Sequence, residues 1–169
     1  YEPNIVHNVC ARWEKEGLVR AVVTQNIDAL HHRAGSRNVI ELHGSPFTHS
    51  CLDCRASQSY QWACREVREQ VVPRCPECGG VVKPDITFFG ELLPEGAVEK
   101  AMGEADASDV MLVLGTSLAV YPAALVPERA AASGTRLAIV NRGETALDKQ
   151  AACRYDDLQS VFEALDRLV

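Results

Sequence analysis

A basic excess is the first thing this sequence lacks. Its 17 Lys and Arg stand against 23 Asp and Glu, a net charge of −6, so the electrostatic footprint that nucleic acid or an anionic membrane requires is missing. Long apolar runs are missing too. The most apolar stretch, Val110 to Val126, is broken by Gly115-Thr116-Ser117 and Pro122, which excludes it as a membrane span. No signal peptide, internal repeat or low-complexity tract is visible, and 47% apolar residues with 24% charged exclude disorder and a fibrous fold. One ordinary globular core fits in 169 residues, with room for a small inserted module and with small molecules or peptides as ligands. The chain begins at Tyr1, not methionine, and opens directly on a helical pattern, so its start is expected to be a cut or the edge of a fragment.

Cysteine is what the chain has in quantity. Seven are present, four of them as Cys51-Leu52-Asp53-Cys54 and Cys75-Pro76-Glu77-Cys78 with 20 residues between the pairs. That spacing is the one tetrahedral zinc uses, and four thiolates leave no open position for water, so the expected ion is structural. Gly79-Gly80 is expected to supply the tight turn that presents backbone amides to the thiolates. Paired metal-binding thiols point to a reducing compartment, and the cytoplasm is the expected location. Cys10 and Cys153 lack the spacing and are expected to be small buried hydrophobes; Cys64 is left open.

Hydrophobic periodicity divides the rest. Ile5, Val9 and Trp13 predict an amphipathic helix closed at Gly17, followed by a strand over 18–23 and a short helix over 27–33 that stops at Gly35. A strand over 39–42 leads to His43. From 46 to 85 periodicity fades, as expected of a module held by metal. Strand character resumes at Ile86-Thr87-Phe88-Phe89, a helix follows with Ala97, Val98, Ala101, Met102 and Ala105 on one face, and Val110 to Leu114 reads as a strand buried on both faces. A helix over 122–133, a strand over 137–140 and a last helix capped by Asp157, with Leu158, Val161, Phe162, Leu165 and Leu168 inward, complete the pattern. Alternating strands and helices predict an α/β fold, a doubly wound parallel sheet, with residues 1–45 and 86–169 in the main domain and 46–85 as a zinc module. The helix over 1–16 is expected in either unit.

The most informative segment is Thr24-Gln25-Asn26-Ile27-Asp28, where an apolar run turns polar at the carboxyl end of a predicted strand, the place α/β folds put ligand contacts. With Ala29-Leu30-His31, Glu41-Leu42-His43-Gly44, the two cysteine pairs, Phe88-Phe89-Gly90-Glu91, Gly115-Thr116-Ser117-Leu118 and Val140-Asn141-x-Gly143, it resembles the sirtuin family of NAD-dependent protein deacylases over nearly the whole chain. Ala119-Val120-Tyr121-Pro122 and Gly143-Glu144-Thr145 are most similar to its bacterial and archaeal branch. The family's Gly-Ala-Gly-x-Ser loop and its Pro-x-Phe-Arg segment do not occur in these residues. The chain is therefore expected to hold only part of the cofactor site, with an incomplete Rossmann-like sheet carrying two unpaired strand edges.

The resemblance implies a chemistry and roles. An acyl-lysine carbonyl oxygen attacks C1′ of the nicotinamide ribose, nicotinamide leaves, a ribose hydroxyl attacks the resulting carbon, and water releases deacylated lysine and O-acyl-ADP-ribose. His43 is the implied general base. Asn26 would position ribose and water, Gln25 would bond ribose hydroxyls, and Asp28 with the Ile27 backbone would hold the nicotinamide amide. Gly115, Thr116, Ser117, Asn141 and Gly143 would contact phosphate or ribose. Thr87, Phe89, Gly90 and Glu91 on one side and Ala119 and Val120 on the other would pair with an acyl-lysine peptide added as a strand. His7, His31, His32 and His49 are expected to be structural. Acyl preference and oligomeric state are not legible. ADP-ribosyl transfer to protein is an alternative within the same chemistry, and an inactive zinc-stabilised binding module is one outside it; the 169 residues alone are expected to be weak or inactive.

Overall fold

The computed structural model describes residues 1–69 and 72–168; Gln70, Val71 and Val169, which fall within the expected 46–85 and 86–169 spans, lie outside the described residues. In chain order the elements are α1 (Ile5–Lys15), β1 (Val22–Thr24), α2 (Leu30–Ala34), β2 (Val39–Glu41), β3 (Gly44–Cys51), β4 (Ser57–Ser59), α3 (Tyr60–Glu69), β5 (Val82–Ile86), α4 (Ala97–Asp106), β6 (Val110–Leu114), α5 (Leu125–Ala132), β7 (Arg136–Val140), β8 (Ala151–Tyr155) and α6 (Leu158–Leu165). β1 and β2 pair in parallel, as do β6, β7 and β8 with β7 central; β3 is flanked antiparallel by β4 and β5. The parallel α/β architecture expected from the sequence is therefore present.

Helices cover both faces of the parallel strands, and side chains alternate to match. Met111 and Val113 of β6 join Leu137 and Ile139 of β7 and the small residues Ala101, Ala105 and Ala130 of α4 and α5 in one core. Leu112 and Leu114 point the other way, to Val9 and Trp13 of α1 and Phe162 of α6. Full burial of a side chain the size of Phe162 contributes about 2–3 kcal/mol. Trp13 stacks on it with ring centroids 6.1 Å apart.

Local chemistry sets where elements start and stop. Asn4 caps α1 by accepting from the amides of Val6 and His7 at 3.0 and 3.3 Å, and Gly17 at φ 79° turns the chain out of it. The expected strand over 18–23 begins only at Val22, because the amides of Leu18 and Val19 are spent on the Trp13 carbonyl at 2.8 and 3.1 Å. The short helix expected from Ile27 starts at Leu30, after Ala29 in the left-handed region at φ 56°. The helix expected from Pro122 likewise starts later, at Leu125.

Four further expectations are corrected. The strand placed at 86–89 lies at Val82–Ile86, and Phe88 to Glu91 turn into solvent: the Glu91 amide donates to the Phe88 carbonyl at 3.0 Å, with Gly90 at φ 87°. Val110, the first residue of β6, is 44% exposed, and β6 is paired on one side only. Leu168 is exposed, lying beyond the end of α6 at Leu165. Cys153 is exposed on the edge strand β8, whereas Cys10 is buried as expected, which pushes its thiol up to about 11.

Among the described residues no helix is long and apolar enough to cross a membrane.

Candidate active site and metal centre

The four paired cysteines bring their sulfurs within 4.8 Å of one another. Two matching turns do this. Each pair is followed by a residue in the left-handed region, Arg55 at φ 63° after Cys54 and Gly79 at φ 77° after Cys78, and each turn closes by an amide returning to the first cysteine: Arg55 to the Cys51 carbonyl at 3.1 Å, Gly79 to the Cys75 carbonyl at 2.9 Å. Gly80 has a separate reason to be glycine. Its amide donates to Cys78 Sγ at 3.4 Å, and a Cβ there would lie 2.4 Å from Asp53 Oδ2 and 2.9 Å from Cys51 Sγ. The amides of Cys54 and Asp53 pull the Cys51 thiol down to about 7, while the neighbouring sulfurs push Cys54 up to about 12, as when closely packed thiols share one negative charge. An all-sulfur tetrad of this kind suits a structural zinc. The apolar support around it is small: Cys51, Cys75 and Val82 with Ala56 and Trp62.

His43 sits between β2 and β3, half-buried. Its Nδ1 is 2.8 Å from the Gln25 carbonyl oxygen, which can only accept. Nδ1 therefore carries the hydrogen, and in the neutral ring Nε2 is left with a free lone pair. Main-chain bonds hold the residue from both sides: the Leu42 amide donates to the Thr24 carbonyl at 2.9 Å, and the Thr87 amide donates to the His43 carbonyl at 2.9 Å. Gly44, at φ 74°, makes the approach possible, since a Cβ would fall 1.9 Å from the Asp85 carbonyl oxygen on β5. β3 and β5 thus tie the metal module to the histidine.

The rest of the pentad lies open beside it. Thr24 Oγ1 accepts from the Asn26 amide at 3.1 Å, and Asp28 Oδ1 from the Leu30 amide at 3.0 Å, which shapes the exposed loop carrying Asn26, Ile27 and Asp28. Behind the loop, His31 packs on His7 with centroids 4.6 Å apart. Burial, with smaller contributions from His7 and His32 against Asp28, pushes His31 down to about 4.

That shift has a sign. Between pH 6.5 and 4 the unfolded chain protonates this ring while the native chain does not, so the stability held above pH 6.5 is lost as pH falls through this window. With solvent screening of a partly exposed ring, the loss should amount to about 1–2 kcal/mol. Urea midpoints from pH 7.5 to 4.5 should show it, and His31→Gln should flatten the slope relative to the unaltered chain; parallel slopes would contradict the assignment.

Gly115 follows β6 and Asn141 follows β7, and the two share an open cavity of about 290 Å³ with Val140, Arg142, Asp156, Asp157 and Leu158. Asn141 Nδ2 donates to the Gly143 carbonyl at 2.9 Å, and Thr116 Oγ1 accepts from the Leu118 amide at 3.3 Å. Ser117 is exposed. Asp157 was expected only as the cap of α6, and Arg142 and Asp156 went unnoticed; β8, which delivers Asp156, has no apolar run to announce it. His43 and the pentad lie outside the lining of this cavity.

Half-buried Thr87 leads into an exposed loop of Phe89, Gly90 and Glu91 pinned by Lys83, whose Nζ donates to Glu91 Oε2 at 2.6 Å and stands 4.9 Å from the Phe88 ring centroid. Lys83 and then the Phe88 amide hold the Glu91 carboxyl below its usual range. Phe89 is fully exposed, as is much of Val120 beside exposed Ala119 on the second loop. No hydrogen bond joins the two loops among the described residues.

The sequence profile of the Sir2 family matches residues 1–122. The chain is 43% identical over 155 residues to an NAD-dependent protein deacetylase of Thermotoga maritima, covering 92% of this chain and 63% of that protein. It is 47% identical over 140 residues to an NAD-dependent protein deacylase of Aeropyrum pernix, covering 83% and 56%. Two solved Sir2 structures, one with p53 peptide and NAD+ and one with a propionylated peptide, superpose with TM-scores of 0.92, at 40% identity, over 99% of this chain and 70% and 71% of theirs. The chain spans about three-fifths of the length of these curated relatives.

Proposed function

The chain belongs to the Sir2 family, and on that premise we propose that the protein carrying it is an NAD-dependent protein-lysine deacylase that releases nicotinamide, deacylated lysine and O-acyl-ADP-ribose. One observation carries the reading: His43 Nδ1 is committed to the Gln25 carbonyl at 2.8 Å, which leaves Nε2 as the nitrogen that can accept a proton.

NAD would supply the electrophilic ribose carbon and the nicotinamide leaving group. Around it, the chain's residues bind, orient and take a proton. Asp28 has Oδ1 committed to the Leu30 amide, so Oδ2 can accept from the nicotinamide carboxamide beside the Ile27 backbone. Gln25 and Asn26 side chains, free of internal hydrogen bonds among the described residues, can hold ribose hydroxyls and water in reactive geometry. His43 takes the ribose hydroxyl proton on Nε2. Gly115, Thr116, Ser117, Asn141 and Gly143 would hold the adenosine side and its phosphate. The exposed Phe89 and Val120 loops suit an acyl-lysine peptide lying between them as an added strand, with Thr87, Gly90, Glu91 and Ala119 alongside. Zinc in the four-cysteine site is structural, and the cytoplasm is a setting in which such thiolates persist.

The 169 residues by themselves are proposed to turn NAD over weakly or not at all: β1 and β6 each have a single strand partner, and Gly-Ala-Gly-x-Ser does not occur in these residues. The test is nicotinamide release from NAD by the full-length protein, dependent on an acetyl-lysine peptide. Release without deacylated peptide, with ADP-ribose attached to protein instead, would replace deacylation by ADP-ribosyl transfer; no release would remove the reading.

A further inference from the structure

Arg154, on β8, is assigned no part by the sequence motifs, yet its guanidinium reaches four acceptors at once. Nε donates to Asp148 Oδ2 at 3.1 Å, Nη1 to Asp156 Oδ1 at 2.6 Å, and Nη2 to the carbonyls of Asn141 at 3.1 Å and Gly143 at 2.8 Å. Asp148 is fixed in turn by Thr145 Oγ1 at 2.6 Å. We propose that Arg154 is a positioning residue for the cofactor: it clamps the loop after β7 to the end of β8 and so sets the width of the cavity between them and the aim of Asn141. The inference rests on the reading of that cavity as the adenosine-ribose site.

The geometry favours positioning over simple stabilisation. Asp156 is largely exposed, and an ion pair of that kind contributes little to stability. The two carbonyl bonds act differently, because they fix the backbone of Asn141, which lines the cavity, and of Gly143 two residues on. The Asn141 amide is already bonded to the Tyr155 carbonyl at 2.9 Å, and Nδ2 to the Gly143 carbonyl. Oδ1 of Asn141 is then the group left without a partner among the described residues, and an acceptor is what a ribose hydroxyl needs. Only a planar fork of donors can hold two carboxylates and two carbonyls together; a lysine ammonium is a single point charge.

The test uses the full-length protein with Arg154→Met and Arg154→Lys, measuring KM for NAD, kcat and ADP-ribose binding by calorimetry. Loss of one charge-assisted anchor should raise both KM and the ADP-ribose Kd by about tenfold in the methionine variant. kcat should stay within about twofold, since the reacting end is not touched, and lysine should recover only part of the loss. Unchanged ADP-ribose binding in Arg154→Met, while Asn141→Ala weakens it, would overturn the inference and leave the site reading in place. Unchanged binding in Asn141→Ala would remove the site reading, and this inference with it.

Discussion

Replacing His43 with alanine in the full-length protein is expected to lower acetyl-lysine-dependent nicotinamide release and deacylation by about 10²–10⁴-fold, the range a positioned general base supplies. That range corresponds to about 3–5 kcal/mol of barrier. The fold should survive the change. The contacts that seat this residue from β5 and β1 are main-chain bonds, from the Thr87 amide to the His43 carbonyl and from the Leu42 amide to the Thr24 carbonyl, and alanine retains both. The side chain contributes one bond, to the Gln25 carbonyl. The loss should therefore fall on turnover, with zinc content and thermal midpoint close to those of the unaltered protein. Nitrogen NMR of the imidazole should find the proton on Nδ1. An alanine variant that keeps more than about a tenth of the rate would remove His43 from the role of base.

Loss of zinc should be more damaging, because it removes structure as well as activity. The module's apolar support is Cys51, Cys75 and Val82 with Ala56 and Trp62, and burial of so few groups contributes only a few kcal/mol. Four thiolates on zinc contribute on the order of 10 kcal/mol at neutral pH. Elemental analysis should find one zinc per chain. Strong chelation, or Cys75→Ser, should abolish amide protection in β3, β4 and β5. The consequence should reach the active site, since Gly44 at the start of β3 pairs with Ile86 of β5 and the following Thr87 amide holds His43. A metal-free protein that keeps both its sheet protection and its turnover would show the tetrad to be dispensable.

Much of the fold was legible because local rules and burial agree. Ile5, Val9 and Trp13 marked α1, and Asn4 and Gly17 close it; Asp157 marked the start of α6, where its Oδ1 accepts from the Ser160 amide at 2.8 Å. The misplaced boundaries share a cause. Leu18 and Phe88 are apolar enough for strands, but their amides are claimed by the Trp13 carbonyl and by Glu91 Oε2, which no periodicity reports. β8 was missed because Ala151 to Tyr155 lacks an apolar run; it forms against the already buried β7, whose open edge supplies the ladder.

By itself, the sequence determined the four-cysteine tetrad, the parallel α/β frame, the membership of the family and the residue proposed as base. These depend on side-chain chemistry at fixed spacing or on periodicity, both of which are local. The tertiary structure alone decided which nitrogen of His43 is free, why Gly44 and Gly80 cannot carry a Cβ, and that Arg154 ties Asn141 to Asp156. Each of these requires atoms far apart along the chain to meet within a hydrogen bond or a van der Waals radius. The packing of β1, β2, β3, β5, β7 and β8 brings them there.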